Sequence, residues 1–165
     1  MDNNYMSFAL ISNNNALAER QVMDKILLCN ETTKKYGLFL TERQALALSQ
    51  TRTASLKETK RIEFGNGIID KLIMAMCDSP YITQEIYEDT LHELINLFYD
   101  LKNNTWDQIS DNDLIDFIKA AFNGCCHGSM DLLMGKSIML AEHIHCGRQI
   151  DTFSEHNRFS HQQIH

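Results

Sequence analysis

Residues Thr83-Gln-Glu-Ile-Tyr-Glu-Asp-Thr-Leu-His-Glu-Leu-Ile-Asn-Leu-Phe-Tyr-Asp-Leu-Lys-Asn103 decide the fold class. Ile86, Tyr87, Leu91, Leu94, Phe98 and Leu101 recur at three- and four-residue intervals, the spacing of one side of a 3.6-residue helix. Charged and polar residues fill much of the rest, so the spacing predicts a long helix with a buried face. Thr83 stands where an N-cap is needed, its side-chain oxygen facing the first unpaired amides. No segment of the chain shows sustained period-two alternation, so no sheet is expected.

The same signals mark helices on both sides. Upstream, Asp78-Ser-Pro80 closes a third helix spanning about 67–77, because the proline ring disfavours helix at the residue before it. Thr41-Glu-Arg-Gln44 has the form of a capping box and opens a second helix to about Thr59. Ser12 to Asn15 can cap a first helix whose apolar residues Val22, Ile26, Cys29 and Tyr36 share a face, with Gly37 as its stop. Downstream, Ser110-Asp-Asn-Asp113 opens a fifth helix through Phe122, and a sixth helical stretch covers about 129–146, weakened at Gly135. From Arg148 the chain is polar and lacks a core stripe. The expectation is an all-α, irregular bundle of five to six helices over residues 1–147, with a polar C-terminal tail at 148–165.

Composition bounds the function. The chain has 165 residues, enough to bury a core without staples. Its start, Met1-Asp-Asn-Asn-Tyr, does not resemble a secretory signal. The most apolar segment, Gly67 to Cys77, is short and carries Asp70 and Lys71, so no membrane span is expected. Five cysteines are an odd number without a disulfide pattern, which suits a cytoplasmic protein with reduced thiols. The net charge of −7 argues against nucleic acid as a partner, since phosphate binding needs clustered Lys and Arg. The charge is uneven. Residues 34–61 hold seven basic and two acidic side chains, and residues 83–116 hold nine acidic and one basic. Solvated helix faces account for such runs. So do head-to-tail association and a charged protein partner.

Cysteine and histidine concentrate in Asn123-Gly-Cys-Cys-His-Gly-Ser129 and in His143-Ile-His-Cys146, types that hold zinc. If the fifth helix continues through Gly124, Leu114, Ile118, Phe122 and Cys125 share the core face. Cys126 then sits at its edge and His127 points to water. If Gly124 and Gly128 open a loop instead, Cys125, Cys126 and His127 are able to meet His143 and Cys146 in a zinc or thiol-redox site. Asp89-x-x-His92 and Glu142-x-x-His145 have the spacing of carboxylate-bundle metal ligands. Asp89 and His92, however, fall opposite the apolar stripe and should face solvent. The tail histidines His156, His161 and His165 are scattered.

A glycine turn supplies one more candidate. Gly65-Asn-Gly67 precedes the third helix, with Lys60, Arg61 and Lys71 nearby. Amides at a helix start beside basic residues can hold a phosphate-bearing ion or metabolite. Equally, the glycines serve a tight turn with positive φ, Asn66 acting as a cap. No P-loop, dinucleotide fingerprint, Gly-x-Ser-x-Gly elbow or His-Glu-x-x-His motif is present, so no catalytic residue is assigned.

The stretch Arg61-Ile-Glu-Phe-Gly-Asn-Gly-Ile-Ile-Asp-Lys-Leu-Ile-Met-Ala-Met-Cys-Asp-Ser-Pro-Tyr-Ile82 resembles the hallmark segment of a family of small uncharacterised helical proteins from Firmicutes bacteria. The resemblance runs from the first helix to about Cys146 and implies a cytoplasmic bacterial protein. No activity is attached to that family, so no catalytic role transfers. Arg61, Glu63, Gly65, Asn66, Gly67 and Asp70 are the ligand-binding candidates of this segment. As a structural alternative, Arg61 and Glu63 pair across the turn, Asp70 lies on an exposed face, and Asp78 sits near the helix end. With no convergent site, the leading expectation is a non-catalytic protein that binds a protein partner or itself, without a cofactor. Zinc or thiol chemistry at the Cys/His clusters and small-anion binding at the glycine turn are the alternatives.

Overall fold

Local signals place the starts of three helices. The Gln44 amide donates to Thr41 Oγ1 at 3.2 Å while the Thr41 amide donates to Gln44 Oε1 at 2.9 Å, a complete capping box. Ser110 and Ser129 cap their helices in the same way, accepting from Asp113 and Leu132. The computed structural model describes residues 3–147 apart from position 66, with side chains from position 16 onward. Among the described residues the elements are α1 (Asn3–Thr33), α2 (Glu42–Glu58), α3 (Ile69–Met76), α4 (Tyr87–Asn104), α5 (Asp111–Asn123) and α6 (Met130–His145). A single 3₁₀ turn follows α1, and there is no strand among these residues. The fold is all-α. The tail from 148 lies outside the described residues.

The helices close a ring. α1 packs on α2, α2 on α4, α4 on α6, α6 on α5, α5 on α3, and α3 back on α1, while α4 also touches α3 and α5 across the middle. That position explains α4, which buries Tyr87, Leu91, Leu94, Ile95, Phe98, Tyr99 and Leu101. Each such side chain contributes roughly 1.5–3 kcal/mol of burial. Val22, Ile26, Leu48, Leu72, Ile73, Leu114, Ile118, Phe122, Leu133 and Leu140 complete a continuous core.

Several boundaries and faces differ from expectation. α1 begins before Ser12, so the 12–15 segment lies inside it. Tyr36 is exposed, because the chain tightens into a 3₁₀ turn at Lys34–Tyr36 and leaves the register of the stripe. Thr83 opens a turn rather than a helix: its carbonyl accepts from the Ile86 amide, α4 starts at Tyr87, and Ile86 is exposed. α5 ends at Asn123. No helix among the described residues is long and apolar enough to cross a membrane.

α2 and α4 run parallel, joined by a polar seam. Gln44 Nε2 donates to Glu88 Oε2 at 3.0 Å, Thr51 Oγ1 meets His92 Nδ1 at 2.6 Å, and Ser55 Oγ donates to Asn96 Oδ1. Asn103 Nδ2 reaches the Thr59 carbonyl at 3.1 Å. Partner numbers rise together along both helices, as only parallel helices allow. His92 is therefore turned toward α2 and not, as the spacing suggested, fully to solvent.

Candidate functional site

α2 and α4 end in the same way, and their ends build the site. In a Schellman motif the residue after the C-cap takes a left-handed conformation, and two amides return to the last turn. After α2 that residue is Lys60 (φ 55), with the Lys60 amide on the Lys57 carbonyl and the Arg61 amide on the Leu56 carbonyl. After α4 it is Trp106 (φ 53), with the Trp106 amide on Asn103 and the Asp107 amide on Lys102. Glycine ordinarily occupies this position, and another residue costs about 1–2 kcal/mol there. The two motifs meet. Arg61 Nη1 donates to Asp107 Oδ2 at 3.0 Å and to Asn103 Oδ1 at 2.9 Å, and its Nη2 pairs with the other Asp107 oxygen. Arg61 thus pairs with Asp107 and not with Glu63: it reaches the end of α4 and the turn beyond it, while Glu63 reaches Arg52 in α2 and Tyr99 in the middle of α4. The Arg61 contact holds the Asp107 carboxyl below the usual carboxylate range.

From Arg61 onward the side chains alternate. Ile62 is 87% exposed and Phe64 is 90% exposed. Glu63, between them, turns inward. Its Oε1 accepts from Arg52 Nε at 3.0 Å and from the Tyr99 hydroxyl at 2.6 Å. Arg52 Nη2 donates to the Gly65 carbonyl at 3.1 Å. Arg52 is 5% exposed in the middle of α2, and Tyr99 is 1% exposed in α4. Burial, then the hydrogen bond and charge of Glu63, push the Tyr99 hydroxyl far up, so it stays a neutral donor. The two glycines serve this grip. Gly65 and Gly67 have φ of 64° and 60°, and a Cβ on Gly67 would fall 1.4 Å from Glu63 Oε1. Glu63's carboxylate fills the concave side of the turn.

Sequence reasoning singled out Arg61, Glu63, Gly65 and Gly67, and the structure brings them together, with Arg61 and Glu63 each already held by an internal partner. Asn66 lies outside the described residues. Asp70 is half-buried in the first turn of α3, its Oδ1 accepting from the Lys71 amide at 3.0 Å. Asp78, past the end of α3, pairs with Lys119 at 3.3 Å. Arg52 and Tyr99 were missed. Ala45, Leu48, Arg52 and Ser55 share one helical face, so a cation on a core face was the available signal.

The Cys/His clusters take a different form. The chain leaves the helix at Gly124, and a turn to Gly128 follows, with His127 and Gly128 at positive φ (48° and 78°). This turn exchanges the two thiols: Cys126 is buried and Cys125 is exposed, the reverse of a continuous helix. Their sulfurs lie 3.9 Å apart. Burial, then Cys125, push the Cys126 thiol up to about 11. His127 contacts Tyr81, with Nδ1 3.3 Å from its hydroxyl. His145 stacks on Trp106 with ring centroids 4.1 Å apart, and its Nε2 lies 2.7 Å from the Asn104 carbonyl oxygen. Cys146 is exposed beyond α6. Among the described residues no group of three or more His, Cys, Asp or Glu is placed to hold a metal ion.

The geometry defines a class: an all-α ring in which two parallel helices grip a turn that shows apolar side chains to solvent. The sequence model of a family of unknown function (DUF6323) matches residues 25–150, and the chain belongs to that family. The match includes the gripped turn. No curated protein and no solved structure matches the chain.

Proposed function

We propose that this chain is a non-catalytic interaction protein that engages a protein partner through the turn at 61–67, with Ile62 and Phe64 as its anchors. One observation supports this above others: the turn keeps a charged residue inside and two large apolar residues outside. Burying Ile62 and Phe64 would contribute roughly 1.5–3 kcal/mol each. The chain instead anchors Glu63 through a nearly buried Arg52 and Tyr99. A gripped turn also lowers the ordering cost of association, which is how rigid anchors gain affinity. Lys57 and Lys60, close to the anchors in sequence, are exposed and suit a partner with an acidic rim. A cytoplasmic, bacterial setting belongs to the same proposal.

The test is affinity capture with wild-type protein and with the Ile62→Ser/Phe64→Ser variant, followed by size-exclusion chromatography with light scattering across a salt series. A partner held by the wild type and lost by the variant, with the helical spectrum unchanged, is the expected result. A strict monomer that captures nothing, or a variant that captures the same set, would sink the idea.

A further inference from the structure

Most helices of the ring bury one face and give a polar face to water. α6 does not. Its inner side carries Leu133, Ser137, Leu140 and Ile144, all buried. At 100° per residue the opposite side carries Gly135, Ile138 and Met139, with Leu132 on one edge and Met134 on the other. The four large side chains among them are 45% to 61% exposed. Together they make the outer side of α6 largely apolar, and exposed apolar patches on a monomer are often functional. A Cβ placed on Gly135 would meet nothing within 4 Å, so the middle of the face is a shallow notch.

Charge decides what fits it. Asp131 and Glu142 are exposed on the axis of this same face, one at each end of the apolar stretch. They are eleven positions apart, about 16 Å along the helix. α4 and α5, against which α6 packs, come largely from the segment 83–116 with nine acidic and one basic residue. A second copy docking through this face about a two-fold axis would bring Asp131 of one copy against Glu142 of the other. An anionic bilayer would be repelled as well, since interfacial helices need basic flanks. A basic amphipathic helix has neither difficulty.

We infer that the outer face of α6 is a docking surface for a basic amphipathic helix of a partner protein. The partner presents apolar residues at i, i+3, i+4 and i+7 to Met134, Ile138, Met139 and the Gly135 notch. Its Lys or Arg side chains, about three turns apart, meet Asp131 and Glu142. The surface is independent of the turn at 61–67.

The probes are two synthetic helices of about 18 residues with the same leucine stripe, one with lysines at both ends of the stripe and one with glutamates there. Fluorescence anisotropy against the full chain reads the affinity. The lysine peptide is expected to bind at least tenfold tighter than the glutamate peptide, and to weaken as salt rises. Asp131→Asn with Glu142→Gln should erase that preference while leaving apolar binding. Ile138→Glu should abolish binding of the lysine peptide, and the milder Met134→Ser covers the case in which Ile138→Glu unfolds, as read by circular dichroism. Ile62→Ser/Phe64→Ser should leave peptide affinity unchanged, which separates failure here from failure at the turn. Equal binding of both peptides, no binding of either, or indifference to both α6 variants would overturn the inference. So would a dimer in sedimentation that Ile138→Glu dissolves and Asp131→Asn/Glu142→Gln does not, since the occupant would then be a second copy.

Discussion

Replacing Glu63 with alanine removes the acceptor that holds two buried donors. Arg52 is 5% exposed and would lose its carboxylate partner, keeping only its bond to the Gly65 carbonyl. Breaking a buried ion pair from one side costs about 3–5 kcal/mol, because the remaining charge is left without compensation. The Tyr99 hydroxyl would lose its 2.6 Å bond to the same oxygen, a loss worth about 1–3 kcal/mol on its own. The two share one network and do not add fully, and Glu63 retains 18% side-chain exposure, so water reaches part of the site. The expected destabilisation is about 4 kcal/mol. With a urea slope of about 2 kcal/mol per molar, the unfolding midpoint falls by about 2 M. Arg52→Met alone should cost about 3 kcal/mol, since it strands Glu63 in turn. The double variant should cost about 4–5 kcal/mol, less than the sum of the two singles by a coupling of about 2–3 kcal/mol, because it no longer carries an unpaired charge. Urea unfolding followed by circular dichroism measures all four proteins. A Glu63→Ala cost below about 1 kcal/mol, or a cycle that adds without coupling, would refute the account of a turn gripped by an ion pair.

Other outcomes follow from the same geometry. Gly67→Ala places a methyl group on the Glu63 carboxylate at a φ of 60°, and should cost at least about 2 kcal/mol by the same urea assay. Cys125 and Cys146 are exposed while Cys29, Cys77 and Cys126 are buried, with Cys29 and Cys126 pushed up to about 11. A thiol reagent at pH 8 should therefore label two cysteines quickly and the other three only on unfolding, as counted by mass spectrometry. Arg61 lowers the Asp107 carboxyl, so the pair stabilises the fold above the ordinary carboxylate range and loses that contribution as pH falls through the lowered value. Asp107 is more than half exposed, so Asp107→Asn should flatten the acid limb of stability by only about 0.5 kcal/mol as pH falls below the ordinary carboxylate range.

What the sequence made legible was local. Capping at Thr41 and Ser110 is chemistry between residues three apart, and apolar spacing at Leu91, Leu94 and Phe98 reports a face directly. What it concealed depended on neighbours distant along the chain. Tyr36 and Ile86 continue their stripes on paper, yet each lies just outside the α-helix that carries its stripe. Arg61 and Glu63 are two residues apart and of opposite charge, which suggests a pair. They instead meet Asp107 and Arg52, partners that no local spacing reveals. The outcome at Cys125 and Cys126 turned on where the fifth helix stops. A Cβ on Gly124 would lie 2.7 Å from the Ala120 carbonyl oxygen, and a Cβ on Gly128 would lie 2.4 Å from Tyr81 Cβ. Both glycines are thus required by a turn that buries the second thiol instead of the first. The apolar outer face of α6 was present as composition, but its exposure became visible only once α4 and α5 were seen to cover the other side alone.

The most direct test of the central claim places a photo-crosslinking phenylalanine analogue at position 64 in living cells, with the same group at exposed Glu93 on α4 as the control. The account predicts a discrete adduct with one partner protein from position 64, absent at Glu93 and lost when Ile62 is also changed to serine. Identical adducts from both positions, or none from position 64 while the protein is folded and abundant, would contradict it.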